Sequence, residues 1–163
     1  MSEMRRWLTI AVGTLALLWA QTMLLPSLLP PLWRPDLLLI ATALIGFVAP
    51  DGRAFLVGAL CGGLQGWLHG SAFAAFVLSR AIAGGFAGWL RSHWLWVSAP
   101  AAAFCVGASV LLGELCQGAL LCLAERSLAP LISNGAVIGM ETLMGVLLGG
   151  LLFWWRYGKE AWA

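Results

Sequence analysis

The chain is poor in charged residues. Only 10% of its 163 residues are Asp, Glu, Lys or Arg, while 61% are hydrophobic. Soluble domains carry about 25% charged residues, so this deficit excludes an ordinary soluble domain and predicts an integral membrane protein. The net charge is only +2 and no Lys/Arg run occurs, which excludes the basic patch of a nucleic-acid-binding protein. The length fits a single transmembrane domain over residues 1–163.

Residues that build catalytic and metal sites are also scarce. The two histidines, His69 and His93, fall at opposite membrane interfaces of the predicted spans. Ser71, Ser79 and Ser133 therefore have no histidine at a useful depth to act as a base. The four cysteines lie in apolar segments and form no CxxC pair, as expected of small core residues. No phosphate-binding Gly-x-x-x-x-Gly-Lys-Ser/Thr loop occurs. We therefore expect neither catalysis nor a cofactor or metal site.

Long apolar segments dominate the chain instead. A helix needs about 20 apolar residues to cross the hydrocarbon, and the pattern predicts an all-helical fold with six transmembrane helices. These lie at about residues 7–29, 36–49, 54–68, 71–90, 96–124 and 135–155. The second and third are short enough for a re-entrant hairpin, but a hairpin would bury Asp51 and Arg53 at membrane depth, which favours two thin spans. The first apolar run lacks a small-residue cleavage site, which predicts a retained span.

Positive charges predict the orientation of these spans. With the N-terminus inside, six basic residues are cytoplasmic: Arg5, Arg6, Arg53, Arg91, Arg156 and Lys159. Only two, Arg34 and Arg126, are in outer loops. This bias obeys the positive-inside rule, and tryptophans band both predicted interfaces. We expect both termini in the cytoplasm.

Four glycines repeat every fourth residue in the third apolar segment: Gly58, Gly62, Gly66 and Gly70. This spacing places them in a row on one helix face, where another helix backbone can approach closely. Shorter pairs, Gly135/Gly139 and Gly145/Gly149, occur in the last segment. Two interpretations stay open for the Gly58–Gly70 face: packing within the domain, or docking of a partner's transmembrane helix.

Three ionisable residues lie within predicted spans, namely Arg80, Glu114 and Glu141. At ~1.5 Å rise per residue, all three fall ~10 to 14 Å below the outer surface. This shared depth predicts a polar layer with Arg80 between the two carboxylates, and three glutamines fall in the same half: Gln21, Gln65 and Gln117. An ion pair that locks three helices, a partner or ligand site, and unrelated snorkelling side chains are the alternatives.

Short motifs occur at the beginning of the second and third predicted spans. The second span begins with Arg34-Pro35-Asp36 followed by three leucines, and the turn Pro50-Asp51-Gly52-Arg53 leads into Gly58-x-x-x-Gly62 and later Gly70-Ser71. In these motifs the chain resembles the MreD family of bacterial rod-shape-determining proteins. The resemblance covers nearly the whole chain. One position departs from it: where the family usually has an aspartate in the third span, this chain has Gly66, with Gln65 the nearest polar side chain.

The resemblance implies a non-enzymatic scaffold of the cell-elongation complex, which supports peptidoglycan synthesis and cell shape at the bacterial cytoplasmic membrane. It implies as partners an MreC-like bitopic protein, a RodA-type glycosyltransferase with its penicillin-binding transpeptidase, and, directly or indirectly, MreB-like actin filaments. It also implies a fold similar to the substrate-binding subunits of energy-coupling-factor transporters. The alternative function is therefore a vitamin-type substrate-binding subunit of an ATP-driven transporter. Against it, only Trp33 and Trp67 could stack on a ligand ring near the outer surface.

Overall fold

The computed structural model describes residues 12–30, 33–49, 52–70 and 72–158, and all regular structure in these ranges is helical. The helices are α1 (Val12–Leu28), α2 (Leu37–Val48), α3 (Arg53–His69), α4 (Phe73–His93), α5 (Ala99–Glu125), α6 (Ala129–Ser133) and α7 (Gly135–Tyr157). The prediction of an all-helical protein is confirmed for this part of the chain. The expected beginning of the first span, the basic residues Arg5, Arg6 and Lys159, and Pro50, Asp51 and Ser71 lie outside the described residues.

Three of the described helices are long and apolar enough to cross a membrane: α4, α5 and α7 as far as Trp155. Two shorter apolar helices, α1 and α2, accompany them. The prediction of a transmembrane protein is confirmed in this form. Within α1, residues Ala20–Leu24 form a π-helical turn, a feature that often marks functional positions in helices.

Local chemistry determines where several helices begin and end. The side chain of Asp36 caps α2 by accepting a hydrogen bond from the backbone N–H of Leu39 at 3.0 Å. Asp36 and Pro35 therefore precede α2 rather than forming its first turn. The turns on either side of α3 depend on Gly52 and Gly70, whose φ angles of +82° and +67° suit glycine.

Helix α4 packs against α2, α3 and α5, and α5 packs in turn against α7. The contact between α3 and α4 is so close that a Cβ added at Gly58 would lie 2.7 Å from the carbonyl carbon of Arg80. At Gly62 the added atom would lie 2.8 Å from the carbonyl carbon of Phe76. The groove predicted on α3 is thus filled by α4 of the same chain, which corrects the interpretation that a partner's helix docks there.

The other two glycines of the row have different surroundings. A Cβ at Gly66 would lie 3.0 Å from the Cα of Phe73, whereas Gly70 ends α3 and has no atom within 4 Å of an added Cβ. In the last helix, Gly145 and Gly149 pack against Val110 and Val106 of α5, while Gly135 and Gly139 face open space. Of the two glycine pairs predicted in the last helix, Gly135/Gly139 is therefore the one whose helix face the described residues leave uncovered.

Candidate functional site

Arg80 of α4 is buried in the bundle with only 1% of its surface exposed. Its Nη2 forms an ion pair with Oδ2 of Asp36, which is itself 7% exposed. Because a charge inside a membrane protein is costly unless it is paired, this contact neutralises both groups. It joins the middle of α4 to the beginning of α2.

The remaining nitrogens of the Arg80 guanidinium are also hydrogen-bonded. Nε donates to Oε1 of Gln65 at 2.7 Å, and Nη1 donates to Oε1 of Gln117 at 2.8 Å and to the hydroxyl of Ser79 at 3.0 Å. Gln65 also donates from Nε2 to Oδ2 of Asp36 at 3.3 Å. These five residues, which we call the Arg80 network, connect α2, α3, α4 and α5. Because each of the three guanidinium nitrogens of Arg80 is hydrogen-bonded, the network holds these helices in a fixed relative register.

All members of the Arg80 network except Ser79 line a cavity of about 450 Å³ that also contacts α1 and α7. We call this space the outer cavity, after the half of the membrane in which the sequence predicts its polar residues. Its further polar lining consists of Gln21, Thr22, Arg34, Glu114 and Glu141. Gln21 accepts a hydrogen bond from the backbone N–H of Leu38 at 3.3 Å. The three ionisable residues predicted to share one depth and the three glutamines predicted in the same half of the membrane all line this cavity.

Arg34 lies at the rim formed by the connection between α1 and α2. Its Nε donates to the carbonyl of Leu29 at 2.9 Å, and its Nη2 donates to the carbonyl of Pro26 at 3.3 Å. These carbonyls belong to the end of α1, where a positive charge complements the helix dipole. The guanidinium thereby caps the C-terminal end of α1, and Arg34 also lines the cavity.

Glu114 of α5 and Glu141 of α7 also line the cavity, and their carboxyl groups are close enough to influence each other. The prediction that Arg80 lies in an ion pair between these two glutamates is wrong. Among the described residues the salt-bridge partner of Arg80 is Asp36. Neither glutamate forms a salt bridge within the described ranges.

The short length of α2 explains why Asp36 can pair with Arg80, a contact that the sequence interpretation did not identify. Its 12 residues extend only ~18 Å, well short of a hydrocarbon core of about 30 Å. A helix this short can begin well below the membrane surface, which allows Asp36 at its N-terminus to reach the depth of Arg80. The short length of the second apolar segment was therefore the feature of the sequence that could have indicated Asp36 as the partner of Arg80.

The outer cavity can bind and position a molecule, but the described residues around it offer no activated nucleophile. No group of three or more His, Cys, Asp or Glu side chains in ranges 12–30, 33–49, 52–70 and 72–158 is arranged to hold a metal ion. The fold and the site define a helical membrane protein with a charged, partly enclosed cavity. Comparisons with models of protein families, with curated proteins and with solved structures find no match to this chain.

Proposed function

We propose that this protein is a non-enzymatic membrane scaffold of the bacterial cell-elongation complex, as the resemblance to the MreD family implies. The observation that carries the proposal is the structural use of the Arg34-Pro35-Asp36 segment. Its aspartate pairs with Arg80 and caps α2, and its arginine binds the end of α1. The charged residues of the motif thus hold helices in position, which is what a scaffold requires.

In this proposal six helices cross the cytoplasmic membrane with both termini in the cytoplasm. Because α4 occupies the glycine groove on α3, the proposal places the contact with a partner's helix on α7 instead. Gly135 and Gly139 there have no atom within 4 Å of an added Cβ, so a second helix backbone could approach closely. An MreC-like protein has a transmembrane helix of the kind that such a face would accept.

The proposal is tested by affinity purification of the tagged protein from its native membrane in mild detergent. We expect an MreC-like protein, a RodA-type glycosyltransferase and its transpeptidase to be recovered, as identified by mass spectrometry. Gly139→Leu should reduce this recovery because the leucine blocks the open face of α7. Gly13→Leu is the matched control, since Gly13 also faces open space but lies on α1.

The outer cavity favours a second candidate function, that of a substrate-binding subunit of an ATP-driven transporter. Its volume of about 450 Å³ is within the range of small-molecule sites, about 300 to 1,000 Å³. The same purification separates the two functions. Recovery of paired ATPases with a second membrane subunit, in place of the cell-wall proteins, would overturn the scaffold proposal.

A further inference from the structure

The outer cavity contains ionisable groups that form no ion pair among the described residues. Arg80 and Asp36 neutralise each other in a buried ion pair. Two carboxyl groups, those of Glu114 and Glu141, then remain in one part of the cavity, and the guanidinium of Arg34 remains at the rim. The cavity therefore presents an acidic pair and a basic guanidinium to whatever occupies it.

These groups keep capacity for further bonds. Nη1 of Arg34 makes no hydrogen bond within the described residues, whereas Nε and Nη2 bind backbone carbonyls. The two carboxyls have each other as neighbours but form no salt bridge among the described residues. Paired acids at membrane depth favour a cationic partner, since a lone carboxylate there is costly.

We propose that the outer cavity binds a small zwitterion that carries a primary ammonium group and an anionic phosphate or carboxylate. The ammonium lies against Glu114 and Glu141 and donates hydrogen bonds to their carboxyl oxygens. The anionic group lies against Arg34, because a guanidinium recognises phosphate and carboxylate through charge-assisted hydrogen bonds. This inference concerns a ligand site and is independent of whether the protein is a scaffold.

Simpler ligands fit the cavity less well. A lone anion at Arg34 would leave the two carboxyls without a cationic partner, and a lone organic cation at the carboxyls would leave Nη1 of Arg34 without an acceptor among the described residues. A metal ion would need a fuller set of ligands than the described acidic residues provide. A molecule with both charges satisfies both parts of the cavity, and about 450 Å³ is ample for one of this size.

The same chemistry occurs in a free zwitterion and in the headgroup of an aminophospholipid. The test uses O-phosphoethanolamine as the soluble probe, with ethyl phosphate as the probe that lacks the ammonium. We expect O-phosphoethanolamine to raise the melting temperature of the purified wild-type protein in a saturable manner and ethyl phosphate to have no such effect. In the lipid arm, native mass spectrometry should show one phosphatidylethanolamine retained in preference to phosphatidylcholine, whose trimethylammonium group cannot donate the hydrogen bonds.

A positive result in either arm supports the proposal and identifies the source of the zwitterion. Absence of binding in both arms, or equal binding of the probes with and without the ammonium, overturns it. Because these comparisons use the wild-type protein, they do not depend on whether a variant folds. Their outcome is also separate from the purification experiment, which measures protein partners.

Two substitutions then localise the site. Glu141→Gln and Arg34→Gln should each weaken binding at least tenfold, because each removes one of the ionisable groups that the zwitterion contacts. The matched controls are Glu125→Gln and Arg126→Gln, which change exposed residues at the end of α5. Binding that is equal in all four folded variants would show that the zwitterion lies elsewhere and would overturn the proposal.

Discussion

Arg80 and Asp36 form an ion pair that links the middle of α4 to the N-terminus of α2 inside the helix bundle. Asp36 serves two purposes in this position, since one carboxylate oxygen caps α2 and the other receives the guanidinium. Gln65 extends the pair to α3 and Gln117 extends it to α5. One buried cation thus determines how four helices are placed around it.

The first prediction separates the two purposes of Asp36. Asp36→Asn retains a good helix cap but removes the charge that neutralises Arg80. An uncompensated buried charge typically costs about 3–5 kcal/mol, so we expect a loss of stability of that order. The measurement is unfolding in detergent titrated with sodium dodecyl sulfate. Glu125→Gln, at an exposed acid, should change little.

A double-mutant cycle shows whether this loss belongs to the pair. Combining Asp36→Asn with Arg80→Gln removes both charges, and the double variant should be more stable than the sum of the single effects predicts. The corresponding cycle of Arg80→Gln with Glu114→Gln should show a smaller coupling, because Glu114 makes no salt bridge with Arg80 in the structure. Equal coupling in the two cycles would contradict the observed pairing.

The second prediction concerns the contact between α3 and α4. Gly62→Ala should destabilise the fold because the added Cβ meets the backbone of Phe76, which cannot move as a side chain can. Overpacking costs about 1–3 kcal/mol, and we expect the upper part of this range. Gly63→Ala is the matched control, since its nearest neighbour is a ring atom of Phe73 at an ordinary 3.7 Å.

Both variants are compared by thermal unfolding in the same detergent. If Gly62→Ala unfolds at the wild-type temperature, α3 and α4 do not approach as closely as described. A loss of stability in Gly62→Ala alone would show that this face holds the protein's own bundle together.

The approximate positions of the described helices other than the short α6 could be predicted, because hydropathy is a local property of the sequence. The relative height of residues along the bundle could also be predicted, since the rise per residue converts a residue's distance from a helix end into a height. Arg80, Gln65 and Gln117 were expected in one half of the membrane on this basis, and they do share a hydrogen-bonded network.

The choice of partners could not be predicted in the same way. It depends on the order of helices around the bundle and on the rotation of each helix, which are tertiary properties. Depth alone therefore could not distinguish Asp36 from Glu114 as the partner of Arg80. For the same reason the glycine spacing predicted close helix packing but did not reveal that the neighbour is α4 of the same chain.

The third prediction compares two serines that are both fully buried, Ser79 and Ser109. The hydroxyl of Ser79 accepts a hydrogen bond from Arg80 and donates to the carbonyl of Phe76 at 3.1 Å. The hydroxyl oxygen of Ser109 has no hydrogen-bond partner among the described residues. Removing a partner from a buried group costs about 1–3 kcal/mol, so we expect Ser79→Ala to be destabilising.

Ser109→Ala should leave stability unchanged or raise it, because it removes a polar atom whose burial is not compensated by a hydrogen bond. Unfolding of the two variants under identical conditions gives the comparison. A larger loss in Ser109→Ala than in Ser79→Ala would mean that the hydroxyl of Ser109 has a partner outside the described residues.

The fourth prediction tests the orientation of the bundle. Ser92, at the end of α4, and Ser127, just after α5, are both exposed and lie on either side of a helix long enough to cross the membrane. The positive-inside rule places Ser92, next to Arg91, in the cytoplasm and Ser127 outside. A membrane-impermeant maleimide should therefore label Ser127→Cys in cells with a permeabilised outer membrane, and Ser92→Cys only after lysis.

The wild-type protein is the control for this labelling experiment, because it gives the background from the native cysteines. The reverse pattern would invert the topology, and labelling of both cysteines before lysis would show that α5 does not cross, which would remove the basis for the six-span arrangement.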